Sequence, residues 1–257
     1  MEKKVGIVGL GKMGSALART LHKHSYEVFA YDISEVKPGK GIQMMETYGE
    51  LLSKEIPLLI AVKPAQVAGV LKAVNDNRLI ISVAAGMPVR KLKSGRSPGC
   101  PVIRVMPNAP FLVNEGMSAL FACEDCSDEY REFALEIFKC GGEAFFIKDE
   151  DMMHAITGLS GSGPAFVELF IQAMEDSGVL LGLPRDMARI LAAQTVLGSA
   201  RLVQRSDRSP QDLIHDVTSP GGTTISGLAV LKDFSFERSV IRAVRKAAEK
   251  SRQIAEE

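Results

Sequence analysis

A strand, a glycine-spaced turn and a helix fill the first two dozen residues in that order, and the order leaves a chain few folds to choose from. Val5-Gly6-Ile7-Val8 is a short apolar run; Gly9-Leu10-Gly11-Lys12-Met13-Gly14 follows it, and Met13, Ala16, Leu17 and Leu21 then recur on one helical face. A second strand, Glu27 to Tyr31, ends at Asp32 and completes a β-α-β unit of the length that binds a dinucleotide. Gly9, Leu10, Gly11, Lys12, Met13 and Gly14 are therefore expected to hold the cofactor. The Asp32 carboxylate, at the end of the second strand, can accept both ribose hydroxyls and repels a 2′-phosphate. Ile33 to Val36 contain neither Arg nor Lys, and the first nearby cation is Lys37. Between NADH and NADPH, these residues favour NADH.

Further strands are predicted at 58–62, 79–84 and 102–105, with two more near 117–122 and 144–147. Each of the first three is followed by a loop and by polar or helical residues, an alternation that makes a mostly parallel sheet. Open parallel sheets bind ligands outside the carboxyl ends of their strands. Ala61-Val62-Lys63-Pro64, Ala84-Ala85-Gly86 and Asn108 fall at or just after such ends, so these loops are expected to line the cofactor cleft.

After Lys148 the texture changes, and strand-like runs give way to long helical patterns broken by Gly, Pro and Ser. The expected organisation is α/β: a Rossmann-type dinucleotide-binding domain over residues 1–148, then an all-α domain over residues 149–257 that makes the dimer and binds substrate. Helices are predicted over about 150–158, 163–181, 184–205, 209–217, 222–233 and 236–255, with Pro164, Pro184 and Pro210 suited to first-turn positions. The helices around Phe166 to Ile171 and Ile190 to Leu197 are apolar on most faces, and a helix greasy all round must be buried all round. Residues 149–257 are too few to cover them alone, so these helices are expected to pack against the same helices of a second copy.

Ser219-Pro220-Gly221-Gly222-Thr223-Thr224 sets bare main-chain amides and short hydroxyls at the start of a helical run, an arrangement that holds a small anion. A substrate carboxylate is the expected occupant. Thirty-one basic and thirty-one acidic side chains cancel, so nothing draws the chain to nucleic acid or to an anionic membrane. The chain enters a strand directly after Met1-Glu2-Lys3-Lys4, without an apolar leader, and a cytoplasmic location is expected. Cys100, Cys123, Cys126 and Cys140 read as reduced thiols; Cys123-x-x-Cys126 has no second pair at metal spacing, so no metal is expected and the motif reads as a strand end and a turn.

Six segments in the right order resemble the pyrroline-5-carboxylate reductase family: Gly9 to Gly14, Ala61 to Pro64, Ala84 to Gly86, Met106 to Pro110, Thr157 to Ala165 and Asp216 to Thr224. The resemblance runs over essentially the whole chain. It implies reduction of 1-pyrroline-5-carboxylate to proline by hydride from NAD(P)H, the last step of proline biosynthesis. It also implies a helical domain that interlocks with its partner in a dimer, with dimers able to assemble further, and an active site shared between subunits. Thr224 matches the position that meets the ring nitrogen, the amides of Gly222, Thr223 and Thr224 match those that meet the carboxylate, and Ser219 and Gly221 belong to the same nest. Glu150 matches an acidic position near the substrate, and Asp216 is placed with the cofactor set. The chain departs from the family pattern at Phe166, where tyrosine is common; at Ala109, where threonine is usual; and at Tyr48, where an asparagine commonly lies near the adenosine phosphate. Two other readings compete. A β-hydroxyacid dehydrogenase would need a lysine soon after Gly158 to Gly163, yet none occurs between Lys148 and Lys232. A dinucleotide sensor without turnover would have no use for a second anion site.

Overall fold

The computed structural model describes residues 1–37 and 39–256. In chain order its first half comprises β1 (Lys4–Val8), α1 (Lys12–Lys23), β2 (Glu27–Tyr31), β3 (Gln43–Met44), α2 (Tyr48–Leu52), β4 (Leu58–Ile60), α3 (Pro64–Lys72), β5 (Ile80–Ser82) and α4 (Val89–Leu92). β6 (Val102–Pro107), a 3-10 turn at Ala109–Val113, β7 (Gly116–Ala122), α5 (Asp128–Lys139) and β8 (Gly142–Phe146) follow. The strands form one sheet in the order β3-β2-β1-β4-β5-β6-β7-β8. Pairing is parallel from β3 to β6; β7 then runs antiparallel to β6, and β8 runs parallel to β7. The chain winds outward from β1 in both directions, so the carboxyl ends of β1, β2 and β4 meet at a switch point, where such sheets open a crevice.

The expected strands are all present. Two of them end earlier than the apolar runs do: residues 61–62 leave the sheet to line that crevice, and residues 83–84 leave it for a loop of their own. β3 was not expected: two residues beside the outer edge of β2 carry too short a pattern to be read. Val5, Ile7, Leu17, Leu21, Leu58, Leu59, Ile60, Ile80 and Ile81 are fully buried, and they join α1 and the central strands in one core.

Beyond β8, α6 (Met152–Ile156) passes into one turn of π-helix at Thr157–Gly161, closed by the Ser162 N–H donating to the Thr157 carbonyl at 2.8 Å. α7 (Gly163–Leu180), α8 (Arg185–Arg205), α9 (Pro210–Asp216), α10 (Thr223–Asp233) and α11 (Phe236–Glu256) follow. Packing divides the chain into two compact units, one of residues 1–162 with the chain from Lys246 onward, the other Gly163–Arg245. Residues 149–162, on the helical side of the boundary expected at Lys148, thus pack with the sheet. The cause is a small apolar cluster of Ala119, Ile147 and Met153, backed by Met106, Phe121 and Ile156, which ties α6 to β7.

In the second unit α7 and α8 pack along a stripe of small residues: Ala188 and Ala192 are buried, and a Cβ on Gly178 would come within 2.9 Å of Ala188. Glu175 is also buried there and takes ion pairs from Arg185 at 2.8 Å and Arg189 at 3.3 Å. Little else in these helices is covered. Leu180 is 87% exposed, Phe234 82% and Ile190 68%, values that leave much of α7 to α10 without a packing partner inside the chain. Among the described residues no helix is long and apolar enough to cross a membrane.

Gly14 shows how closely α1 lies on β1. A Cβ at this position would run into the carbonyl oxygen of Gly9, which is backbone and cannot swing aside. Gly14→Ala should therefore lower the unfolding free energy by about 1–3 kcal/mol through overpacking, read as a lower urea midpoint; an unchanged midpoint would mean that the turn and helix separate freely.

Candidate active site

A cleft of about 600 Å³ opens at the switch point, lined by Gly9, Gly11, Asp32, Ala61, Val62 and Lys63 of the expected set. Each glycine of the turn has its own physical task. Gly9 has φ +95° and its pro-side-chain space is filled by the Ala61 backbone at 2.9 Å, so a side chain there is excluded twice over. Gly11 meets nothing within 4 Å, and as the N-cap of α1 it makes no side-chain cap. The first turn of α1 thus faces open space with bare amides, as a pyrophosphate requires. Leu10 is buried and its N–H donates to Asp32 Oδ2 at 2.6 Å, while Asp32 Oδ1 accepts from Ser34 N–H at 2.8 Å. Two main-chain donors therefore hold the carboxylate at the end of β2. Met13 packs against the core, Lys12 is exposed and Pro64 starts α3.

The far wall consists of residues that carried little signal. Tyr31, Ile33, Ser34, Gln66, Gly69 and Val70 line the cleft together with Tyr48. Tyr31 through Ser34 could have been inferred from the strand-end rule; the α3 residues could not, because nothing in their spacing marks them. Tyr48 stacks on Tyr31 with ring centroids 5.7 Å apart, and its hydroxyl donates to the Val70 carbonyl at 3.0 Å. Burial pushes the Tyr48 phenol up to about 12, so it stays a neutral donor.

Ala84, Ala85 and Gly86 do not line this cavity. The Ala84 N–H donates to Ser82 Oγ at 3.3 Å, and Gly86, at φ +71°, lies against Ile254 at 2.5 Å from where a Cβ would stand. Asn108 is a brace: its Oδ1 accepts from Met117 N–H at 2.9 Å and its Nδ2 donates to Ser160 Oγ at 3.3 Å, linking β6, β7 and the π-turn.

Glu150 sits in a separate polar pocket of about 230 Å³, with Arg90, Arg104, His154 and Arg252 among its walls. Its Oε1 accepts from the Val89 N–H at 2.8 Å and from Arg104 Nη1 at 2.9 Å. Arg104 is buried, so this carboxylate supplies the counter-charge of a guanidinium largely withdrawn from water. His154 is buried beside them with Nδ1 3.0 Å from Ser251 Oγ, and burial, reinforced by Arg104 and Arg252, holds it below the usual imidazole range. A neutral, enclosed imidazole suits a packing role.

Ser219 to Thr224 form the entry to α10. Gly221 has φ +68°, and the Gly222 N–H donates to the Ser219 carbonyl at 3.0 Å, closing a turn. A Cβ on Gly222 would strike Ser219 Oγ, so this glycine lets the serine fold over the helix start. One of the three amides that the resemblance gives to the carboxylate is thus engaged by the protein itself. Gly222 is the N-cap and supplies no side chain, and among the described residues the N–H groups of Thr223 and Thr224 and the Thr224 hydroxyl make no hydrogen bond. Thr224 is therefore not a helix cap. Asp216, four residues before the turn's proline, pairs with Arg208, which holds its carboxyl below the usual range. Among the described residues no group of three or more His, Cys, Asp or Glu side chains could hold a metal ion.

Residues 150–254 match the family model for pyrroline-5-carboxylate reductase dimerisation, and residues 4–86 match that for NADP oxidoreductase, coenzyme F420-dependent. The chain is 38% identical to the pyrroline-5-carboxylate reductase of Synechocystis sp. over 266 residues and 38% identical to that of Escherichia coli over 272, covering 99% of both chains in each case. Among solved structures it is similar to the Plasmodium falciparum pyrroline carboxylate reductase with NADP bound, at 34% identity and a TM-score of 0.91, with 98% of each chain covered. The Streptococcus pyogenes 1-pyrroline-5-carboxylate reductase superposes with a TM-score of 0.89 at 31% identity, over 97% of this chain and 98% of that one.

Glu150→Ala leaves Arg104 buried without its counter-charge, so the variant should lose about 3–5 kcal/mol of stability in urea unfolding. A loss under about 0.5 kcal/mol, the size expected of a surface change, would mean that Arg104 finds water or another partner.

Proposed function

The chain belongs to the pyrroline-5-carboxylate reductase family, and from that footing we propose how its residues reduce 1-pyrroline-5-carboxylate to proline with a nicotinamide dinucleotide. It is an oxidoreductase acting on a C=N bond, and it works as a homodimer through the helical segment. The exposed leucines, isoleucines and phenylalanines of α7 to α10 are the surface that such a partner covers. Four free thiols suit a reducing compartment, and we place the protein in the cytoplasm.

One observation carries the substrate assignment: the first turn of α10 presents unengaged amides and an unengaged hydroxyl. We assign the substrate carboxylate to the Thr223 and Thr224 N–H groups, where hydrogen bonds and the helix terminus both favour negative charge. Thr224 Oγ accepts a hydrogen bond from the protonated imine nitrogen and so fixes which ring face is presented. Ser219 and Gly221 shape the turn. Glu150 is kept with the substrate residues on the family resemblance, its Oε2 being the oxygen not bonded to Arg104 or Val89.

The dinucleotide is assigned to the cleft at the switch point, with Gly9 to Gly14, Asp32 and Ala61 to Pro64 holding it and with the Ala84 to Gly86 loop, Asn108 and Asp216 in supporting positions. When bound, the reduced nicotinamide supplies the hydride that adds to the imine carbon. Because that carbon is already electron-poor in the protonated imine, the protein has only to bind and orient; no general acid is needed. The absence of lysine from 149 to 231 removes the base that alcohol oxidation would require and leaves imine reduction untouched.

For the choice of cofactor we favour NADH. Asp32 is held at the end of β2 by two amides, and among the described residues the one lysine or arginine in the cleft wall, Lys63, follows β4 on the other side of β1. A 2′-phosphate about 5 Å from this carboxylate would be repelled by about 1.5–3 kcal/mol at a near-aqueous dielectric. The expected outcome in steady-state kinetics is a KM for NADPH roughly 10–100-fold above that for NADH, a gap that Asp32→Ser should close. A lower KM for NADPH would reverse the assignment.

Following the absorbance of the reduced nicotinamide with 1-pyrroline-5-carboxylate present tests the reaction itself. Removal of a hydrogen bond to a charged group costs roughly 1.5–3 kcal/mol, so Thr224→Ala should lower kcat/KM by about 10–100-fold. An unchanged value would remove Thr224 from the mechanism.

A further inference from the structure

At the end of the strands opposite the cofactor cleft, where β6 begins and the antiparallel β7 ends, the chain carries Cys100, Cys123 and Cys126, all buried. The Cys126 N–H donates to the Cys123 carbonyl at 3.2 Å, so Cys123-Glu124-Asp125-Cys126 is a tight turn. The ends of such a turn lie within about 7 Å, Cα to Cα, and a disulfide spans about 4.4–6.8 Å. The two sulfurs are 3.6 Å apart. Arg131 clamps the turn through Nε to the Cys126 carbonyl and Nη2 to the Cys123 carbonyl, each at 3.3 Å. The Val102 N–H donates to Cys123 Sγ at 3.2 Å, and the Cys126 thiol lies 3.3 Å from the Val102 carbonyl.

We propose that Cys123 and Cys126 form a dithiol that a small peroxide oxidises to an intramolecular disulfide. The two sulfurs are unlike. The hydrogen bond from Cys126, against the opposing effect of burial and with help from the Val102 N–H, holds Cys123 below the ordinary thiol range. The same bond and burial hold Cys126 above it. Cys123 is therefore the attacking thiolate and Cys126 the resolving thiol. Other charges face this turn: Asp125, whose carboxylate lies 3.8 Å from Cys123 Sγ and pairs with Lys93, and Arg96, whose Nε donates to Cys100 Sγ at 2.6 Å. Cys100 is thereby turned to Arg96, and burial pushes its thiol up.

In the first step Cys123 S⁻ displaces hydroxide from the O–O bond and becomes a sulfenic acid; the hydroxide takes a proton to leave as water. Cys126 sulfur then forms the S–S bond, and the sulfenic oxygen leaves as a second water with the Cys126 proton. Two thiols lose two electrons and two protons, and one peroxide becomes two waters. With Cys123 7% and Cys126 6% exposed, the turn admits an oxidant of peroxide size, whereas a protein disulfide could not reach it.

The test uses the full chain, treated with equimolar hydrogen peroxide, quenched by alkylation in denaturant, and analysed by intact mass and a non-reducing digest. The expected product has lost two hydrogen atoms, alkylates at two of its four cysteines and yields a peptide with Cys123 joined to Cys126; dithiothreitol restores all four sites. In Cys126→Ser the sulfenic acid should persist on Cys123 and be trapped by dimedone. Alkylation at all four cysteines after treatment, or a disulfide that includes Cys100 or Cys140, would overturn the proposal, and this wild-type result decides the matter even if the variant does not fold.

Discussion

The close approach of α1 to β1 is the constraint on which the nucleotide-binding unit rests. Gly14 lies against the Gly9 carbonyl, Gly9 lies against the backbone of Ala61, and the intervening Leu10 N–H is tied to Asp32. These contacts link three neighbouring strands, β2, β1 and β4, at their carboxyl ends, and they leave no room for a side chain at Gly9 or Gly14. What remains in front of them is a cleft with bare amides on its floor and one fixed carboxylate on its rim. In the proposed assignment, binding and cofactor choice follow from the same few contacts that hold the helix in place.

The helical unit is governed by an opposite circumstance, a shortage of internal cover. α7 and α8 meet along alanines, and most of their larger apolar side chains remain exposed. Membership of a family with a dimerisation segment gives this exposure its meaning, since a second copy supplies the missing half of the core. The entry to α10 fits the same economy of parts. A helix with serine or aspartate at its N-cap would be more stable by roughly a few tenths of a kcal/mol, whereas this one has Gly222 there and leaves its first amides without a side-chain partner. Local stability has been given up where a ligand can restore it.

Much of this was legible in the residues because the relevant patterns are local. The β1–α1 turn and Asp32 announce themselves by spacing, and the six helices of the second half by their periodicity and prolines. The Gly-Gly-Thr-Thr run could be singled out as a candidate anion site because it joins flexible backbone to a helix start. Contacts between distant segments were not legible. Nothing in the sequence tells that Arg104 needs Glu150, that Ile254 closes over Gly86, or that Tyr48 stacks on Tyr31. The two-residue β3 carries no period, and the tie of α6 to β7 depends on single apolar residues in three separate elements. The Gly222 amide illustrates the limit most sharply: a motif can mark a nest of donors, but only geometry reveals which donor the turn itself consumes.

The central claim is that an uncharged nest of main-chain amides with one alcohol, at the entry to α10, holds the acid group of the substrate. A crystal structure of the protein with proline bound tests it most directly. The account expects the proline carboxylate on the Thr223 and Thr224 amides with its ring nitrogen facing Thr224 Oγ. Proline seated elsewhere, with residues 219–224 empty, would contradict it.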